Sequence, residues 1–415
     1  MSKQHKDIDF QSQPVATGAR RSNLSMFMIM MGFTFFSASM WVGQQMAQGL
    51  NFSNFIFAMI LGGIILGAYT GALGYVGAKS GLSLDLLAVR VFGTKGSYLP
   101  SAMISFTQVG WFGVGLAMFA IPIAKVAFGG SPMATYSMVA IAGVCMTATA
   151  YFGIKSLSII SYIAVPCVAI LGTVAMVKAV AMGDRSLIEQ FEVGTKSMGV
   201  IAGAGLVIGS FVSGGTATPN FSRFAKSGKT GCIITIIAFF LGNSLMFLFG
   251  AVSSIYVGGN DIFDVMINLN FFYLAVLVLG LNIWTTNDNA LYSTGLGLAN
   301  IFKLSKRSMV LASGVLGTLT AVWLYNNFCD YLNILNCTLP PVGIILVLGY
   351  FLNKKDFDTQ TPSHPAVANI GAITGVVAGA VVANLLPLGI PSINGMIVAT
   401  ICYLIGNKIT KNTVR

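Results

Sequence analysis

Long apolar stretches, each nearly free of charge, follow one another from residue 24 to residue 407. A helix needs about 20 such residues to cross the hydrocarbon of a bilayer, and only helices or closed barrels satisfy every backbone polar group there. Twelve stretches meet that length, at 24–49, 54–77, 98–126, 133–153, 157–180, 198–221, 231–256, 270–299, 309–328, 332–352, 366–386 and 390–407. The chain therefore reads as an all-α polytopic membrane protein with twelve transmembrane helices and the lipid bilayer as its solvent. A soluble reading fails at the surface, because only 8% of the 415 residues are charged, against roughly 25–35% on a water-facing surface. A larger core does not rescue it, since cores beyond about 250–300 residues split into domains that each need a polar surface.

The charges test the count. With the N-terminus cytoplasmic, the inner segments and adjoining span ends hold nineteen of the 23 basic residues. They are Lys3, Lys6, Arg20 and Arg21; Lys79, Arg90 and Lys95; Lys155; Arg223, Lys226 and Lys229; Lys303, Lys306 and Arg307; Lys354 and Lys355; and Lys408, Lys411 and Arg415. Lys125, Lys178, Arg185 and Lys196 fall outside. That is the positive-inside bias of an even-numbered topology with both termini cytoplasmic. The net charge of +11 does not point to nucleic acid, because the cations are scattered between apolar runs and not clustered on one face. The first 23 residues lack the apolar region and cleavage site of a secretory signal, so the N-terminus is expected to be retained, as fits a bacterial cytoplasmic (inner) membrane.

Eleven of the 12 acidic residues lie in termini, loops or span edges: Asp7, Asp9, Asp85, Asp356 and Asp358 inside; Asp184, Glu189, Glu192, Asp261, Asp264 and Asp330 outside. Asp288 alone falls within a span, where an ionisable group is costly and is by default functional. A structural carboxylate bonded to neighbouring helices is the plainer alternative. Ser80 to Phe92 is too short to span and reads as an amphipathic inner-surface helix or a connector packed under the bundle. Gly63, Gly67 and Gly71 give two GxxxG spacings that let another helix approach closely. The six cysteines have no ligand-like spacing, and His5 and His364 lie in polar stretches, so neither a metal cofactor nor histidine catalysis is expected.

Two spans contain material that a lipid-facing helix avoids. The first has Gly32 followed by Phe33, Thr34, Phe35, Phe36, Ser37, Ala38 and Ser39; the sixth has Gly209, Ser210, Phe211, Val212, Ser213, Gly214, Gly215 and Thr216. Glycine permits unwinding and hydroxyls satisfy freed backbone groups, which is tolerated only against protein or an aqueous cavity. Flexible or tightly packed continuous helices are the alternative. A broken pair at spans one and six points to a transporter built from two inverted repeats of five spans. The division that follows is a tail at 1–23, a first repeat at 24–180, a connecting segment and second repeat at 181–352, a loop with two further spans at 353–407, and a tail at 408–415.

Asn282, Thr285 and Thr286 in the eighth span are three and four positions apart and share a helical face, while Asn287 points elsewhere. Two hydroxyls and an amide oxygen, completed by carbonyls of an unwound first span, suit a hard cation such as sodium. Hydroxyls bonding back to the preceding turn are the alternative. Gln108 and Trp111 in the third span also face one way, and an amide beside an aromatic ring suits a flat, neutral, polar solute; ordinary helix packing accounts for them equally.

The strings GFTFFSASMW at 32–41, TQVGWFGVG at 107–115 and GLNIWTTNDNALY at 280–292 carry a resemblance that extends over all twelve spans. The chain resembles the bacterial cytosine permeases of the nucleobase:cation symporter-1 family. The resemblance implies the five-plus-five inverted-repeat fold with broken helices 1 and 6, two further C-terminal helices, and sodium-coupled cytosine import by alternating access. It implies that the base lies between Trp111 and Phe211, with Gln108, Asn287, Ser210 and Ser213 at its polar edge. It further implies that sodium, the coupling ion, is held by Asn282, Thr285 and Thr286 with the carbonyls of Gly32 and Phe35. The family often has an acidic residue where this chain has Asn220. No cofactor and no obligate protein partner is implied. A proton-coupled permease using Asp288 and a sodium-coupled amino-acid transporter are the rival transport readings. An intramembrane enzyme lacks a histidine or an acid/base pair in any span, and a passive channel or structural protein would give no flux against a gradient.

Overall fold

The computed structural model of the protein describes residues 13–152, 154–182, 189, 198–257, 262–357, 366–386 and 388–413. Of the residues singled out from the sequence, Lys3, His5, Lys6, Asp7, Asp9, Asp184, Arg185, Glu192, Lys196, Asp261, Asp358, His364 and Arg415 lie outside the described residues.

Every regular element among the described residues is helical. The chain opens with α1 (Asn23–Thr34) and α2 (Ser37–Gly49), followed by α3 (Phe52–Ser80), α4 (Leu84–Phe92), α5 (Tyr98–Phe128), α6 (Pro132–Tyr151) and α7 (Ile154–Met182). After these come α8 (Val200–Thr216), α9 (Pro219–Ser222), α10 (Gly228–Ile237), α11 (Asn243–Val257), α12 (Ile262–Asn268) and α13 (Phe272–Phe302). The chain ends with α14 (Lys306–Asn326), α15 (Phe328–Thr338), α16 (Pro340–Leu352), α17 (Lys354–Phe357), α18 (Ile370–Leu385) and α19 (Pro391–Thr413). A π-helical turn, Ala238–Gly242, joins α10 to α11 without ending the helix. Eight helices among the described residues are long and apolar enough to cross a membrane, nine when the bent pair α1 and α2 counts as one. The 31-residue α13 is not one of them: at about 1.5 Å per residue it is long enough, but its middle carries the polar run Asn282–Asn289. The protein is an all-α polytopic membrane protein.

Packing follows the small residues. In α3, a Cβ on Gly63 would come within 2.9 Å of the Phe240 ring and one on Gly71 within 2.5 Å of Ile236. The GxxxG face therefore receives the α10–α11 helix, as its spacing predicts. The connector α4 is capped by Ser83, whose hydroxyl accepts from Leu86 N at 3.3 Å, and it packs beneath α5, α13 and α16. It buries Asp85, Leu87 and Phe92, so the packed-connector alternative holds.

The breaks differ in kind. Between α1 and α2, Phe35 and Phe36 are extended and the two axes diverge by 51°. In the sixth span, by contrast, α8 stays helical from Gly209 through Thr216, and the chain turns only at Ala217–Thr218 before α9. The expectation of unwinding at Gly209–Thr216 is thus corrected. Its glycines serve close packing: a Cβ on Gly214 would sit 2.8 Å from the Phe33 ring, and one on Gly215 2.6 Å from Thr70. The helix stops at Pro219, which has no N–H for Gly215 O. That carbonyl accepts instead from Thr218 N at 3.2 Å.

Candidate functional site

The break between α1 and α2 frees backbone groups inside the bundle, and α13 meets them. Asn282 accepts from Ser37 N at 3.0 Å through Oδ1, and its Nδ2 donates to Phe35 O. Thr285 Oγ1 lies 3.0 Å from Gly32 O and 2.8 Å from Asn282 O. These contacts join residues some 250 positions apart in sequence, and they answer the requirement that freed backbone groups inside a membrane find partners. Gly32, Phe35, Asn282 and Thr285 are therefore brought together. Thr286 is one residue further along α13, and its hydroxyl is buried without a hydrogen-bond partner. A buried hydroxyl left unpaired costs about 1–3 kcal/mol, and that of Thr286 is open to accept or donate inside the bundle. Carbonyl and hydroxyl oxygens with no carboxylate suit a weakly charged hard cation.

Next to this set lies a cavity lined by Phe33, Phe36, Gln108, Trp111, Ser210, Phe211, Gly214 and Thr286. Its empty space is about 240 Å³, below the roughly 300–1,000 Å³ of pockets that take drug-sized ligands. The centre has room for about one water-sized body, so a single-ring solute requires the aromatic side chains to part. Trp111 is held edge-to-face by Phe36, Phe328 and Tyr331, with centroids 5.6, 5.8 and 5.5 Å away. Phe211 is held likewise by Phe33 and Phe239 at 5.4 and 5.5 Å. Such contacts orient a ring without covering both its faces.

The polar lining has its own order. Gln108 Nε2 donates to Ser213 Oγ at 2.7 Å, and Ser213 Oγ donates to Thr107 Oγ1 at 2.9 Å. Ser213 thus stands behind Gln108 and is absent from the lining itself. Ser210 Oγ donates back to Val207 O at 2.9 Å and lies 3.4 Å from Asn243 Nδ2. Asn243 begins α11 directly after the π turn, and such turns recur at functional sites. The structure does not bring Asn287 to this cavity. Its Nδ2 donates to Phe112 O and faces Met146 Sδ, both at 3.2 Å, and a Cβ on Gly115 would lie 2.4 Å from its Oδ1. The reason is the helical step: a turn of about 100° from Thr286 points Asn287 at α5 and α6.

Asp288 is fully buried among the helices. Thr149 Oγ1 donates to its Oδ1 at 2.7 Å, and Trp284 Nε1 donates to Thr149 Oγ1 at 2.7 Å; Oδ2 has no partner. It is absent from the cavity lining. Nearer the α4 end, Ser101 Oγ donates to Asp85 at 2.5 Å and Arg223 Nη2 donates to Tyr292 Oη at 2.9 Å. Burial pushes the Asp85 carboxyl up to about 6, against the opposing pull of Ser101 and the Arg223 charge.

Sequence reasoning missed Phe33 and Phe36 as cavity walls, although both stand in the string that marked the break. It also missed Asn243, Thr107 and Ser161. The Ser161 hydroxyl is buried without a partner, and a Cβ on Gly32 would lie 2.6 Å from it. A serine inside an apolar span was the available signal.

Comparison with known proteins places this geometry. A model of the family described as permeases for cytosine/purines, uracil, thiamine and allantoin matches residues 14–362. The cytosine permease of Escherichia coli (strain K12) is 43% identical over 405 residues, covering 97% of this chain and 95% of that protein. Among solved structures, Mhp1, a nucleobase-cation-symport-1 family transporter in a closed conformation with bromovinylhydantoin bound, superposes with a TM-score of 0.81 at 19% identity, covering 97% of this chain and 96% of that one. A Na+-coupled sialic acid symporter in a substrate-bound outward-open state superposes with a TM-score of 0.71 at 13% identity, over 97% and 92%. At these identities the two structures speak to fold alone.

Proposed function

We infer the function from the family to which the chain belongs, the permeases for cytosine/purines, uracil, thiamine and allantoin: it is a transporter, not an enzyme, and it imports cytosine across a bacterial inner membrane. The finer reading is that import is driven by sodium through alternating access, with both termini cytoplasmic. The architecture we propose is the twelve-span, five-plus-five inverted repeat: 24–180 and 181–352 are the repeats, between the tail at 1–23 and the two further spans of 353–407, with a second tail at 408–415.

Packing supports the repeat. If α1–α2, α3, α5, α6 and α7 correspond to α8–α9, α10–α11, α13, α14 and α15–α16, each contact should have a counterpart after the exchange. Contacts α3–α8, α5–α14 and α1–α7 do find theirs in α11–α2, α13–α6 and α15–α8. The self-paired contacts α3–α10, α5–α13 and α6–α14 also occur. An odd number of spans per repeat makes such halves antiparallel, so the break after Thr34 and the turn after Thr216 enter from opposite sides.

Sodium binds Gly32 O, Phe35 O, Asn282, Thr285 and Thr286, and draws α13 onto the α1–α2 break. Cytosine enters between Trp111 and Phe211, with Gln108 and Ser210 on its edge and Ser213 behind Gln108. Asn287 packs α13 against α5 rather than touching the base in this conformation. One observation supports the coupling: Thr286, a ligand in this reading of the cation set, also lines the cavity, and its hydroxyl has no protein partner. Each ligand therefore orders a side chain that the other uses, which gives reciprocal affinity.

The test is cytosine uptake into proteoliposomes under an inward sodium gradient. Accumulation that collapses when choline replaces sodium is the expected result. Uptake indifferent to sodium and driven by a proton gradient refutes the coupling and turns attention to Asp288.

A further inference from the structure

A hydrogen-bond chain behind the cavity has a fixed direction. It ends at Ile104 O, a carbonyl that can only accept. Thr107 Oγ1 donates to it at 2.9 Å, and a hydroxyl has one hydrogen. Toward Ser213, 2.9 Å away, Thr107 is therefore an acceptor, and the Ser213 hydrogen is spent on it. Ser213 Oγ in turn has only lone pairs to offer Gln108, 2.7 Å away, so the Gln108 group that faces it must be the N–H. The orientation of an amide is ordinarily an inference from its neighbours; here a carbonyl three links away dictates it.

Gln108 lines the cavity, and its Oε1 makes no hydrogen bond among the described residues. We propose that Thr107, which lies outside the cavity lining, is a positioning residue that sets the polarity of the solute site. Through Ser213 it holds Gln108 with the carboxamide oxygen toward the solute and one N–H committed behind. The cavity edge presented by Gln108 is then an acceptor with at most one donor beside it, and a flipped amide is blocked because Ser213 has no hydrogen left for an oxygen.

The solute this edge selects carries an N–H donor where the oxygen waits. An amino-substituted pyrimidine offers its exocyclic amino group with a ring-nitrogen acceptor beside it. A pyrimidine with a carbonyl at the same position sets oxygen against oxygen and ring N–H against N–H. This inference rests on the cytosine reading and supplies its discrimination, since ring stacking tolerates every base.

The experiment measures cytosine and uracil binding by purified full-length protein in saturating sodium, for wild type, Thr107→Val and Thr107→Ser. Valine keeps the shape and deletes the acceptor, so Ser213 can turn its hydrogen toward Gln108 and the amide can flip. The wild-type preference for cytosine over uracil should fall at least about tenfold in Thr107→Val, the scale of one buried hydrogen bond, and return in Thr107→Ser. Should Thr107→Val fail to fold, Ser213→Ala carries the same expected loss of preference. A valine variant that weakens both bases equally, leaving the ratio unchanged, shows mere packing and overturns the proposal. Wild-type protein that binds both bases equally overturns it while leaving the transport reading intact. Wild type that binds neither base refutes both.

Discussion

Replacing Thr286 by valine separates a group held for an ion from one held for the fold. The Thr286 side chain is 3% exposed and its hydroxyl lacks a partner. Valine removes an unpaired polar atom worth about 1–3 kcal/mol of desolvation, so without sodium the variant should be as stable as wild type or more so. Thr285→Val is the sodium-free control, because that hydroxyl already bonds Gly32 O and Asn282 O, and its loss should cost about 1 kcal/mol before any ion binds. Sodium changes the comparison with wild type. A contact to a charged group contributes about 1.5–3 kcal/mol, so Thr286→Val should bind sodium roughly 10- to 100-fold more weakly. At a sodium concentration about 100 times the wild-type Kd the ion stabilises wild type by about 2.7 kcal/mol and the variant by only about 1.4 to 0.4 kcal/mol. Thermal unfolding of purified protein in detergent, titrated with sodium at constant ionic strength using choline and without cytosine, reads both effects. If Thr286→Val lowers the sodium-free Tm as much as Thr285→Val, or keeps the wild-type sodium response, then the hydroxyl is structural and the cation set is wrong.

Two buried carboxylates, Asp288 and Asp85, should respond differently to neutralisation. Asp288→Asn keeps an oxygen for Thr149 and removes the one carboxylate of α13; sodium-driven cytosine uptake should survive it, whereas a wild type driven by a proton gradient that Asp288→Asn abolishes, with folding retained, would assign proton carriage to Asp288. Asp85, in a nine-residue helix too short to span, holds its proton up to about pH 6 in the folded protein, against an ordinary value of 3.8. Between those values the folded state binds more protons than the unfolded one, so stability should fall as pH rises from about 4 to 6, by up to about 3 kcal/mol. Asp85→Asn should flatten that profile of Tm against pH; a slope that persists in the variant locates the titration elsewhere.

What the sequence made legible was whatever depends on one element at a time. Apolar length marks the spans, and the i, i+3 and i+4 spacing of Asn282, Thr285 and Thr286 puts them on one face whatever the rest of the fold does. The string from Gly32 to Ser39 marked a break because phenylalanines and hydroxyls follow a glycine there. What stayed hidden depends on the surface opposite. The π turn at Ala238–Gly242 has no sequence signal of its own, yet it delivers Asn243 to Ser210. Arg223, read as an inner-edge cation, is fully buried and donates to Tyr292, which no span-by-span reading can foresee.

Glycine shows why the same residue type misled in one span and guided in another. It lowers the cost of unwinding and of close approach together, so its presence predicts that one of them happens without saying which. The neighbour decides. In α8, a Cβ placed on Gly214 or Gly215 would stand under 3 Å from an aromatic ring or a threonine methyl, and the polar groups nearby are spent on the side chains of Ser210, Ser213 and Thr216. At the end of α1, the groups released after Gly32 meet Asn282 and Thr285, so Gly32 O, Phe35 O and Ser37 N keep hydrogen-bond partners where the helix unwinds. Helix breaks in such a bundle therefore fall where another span supplies amides and hydroxyls at the same depth. In this chain that span is α13, whose polar run Asn282–Asn289 sets it apart from the helices most apolar along their length.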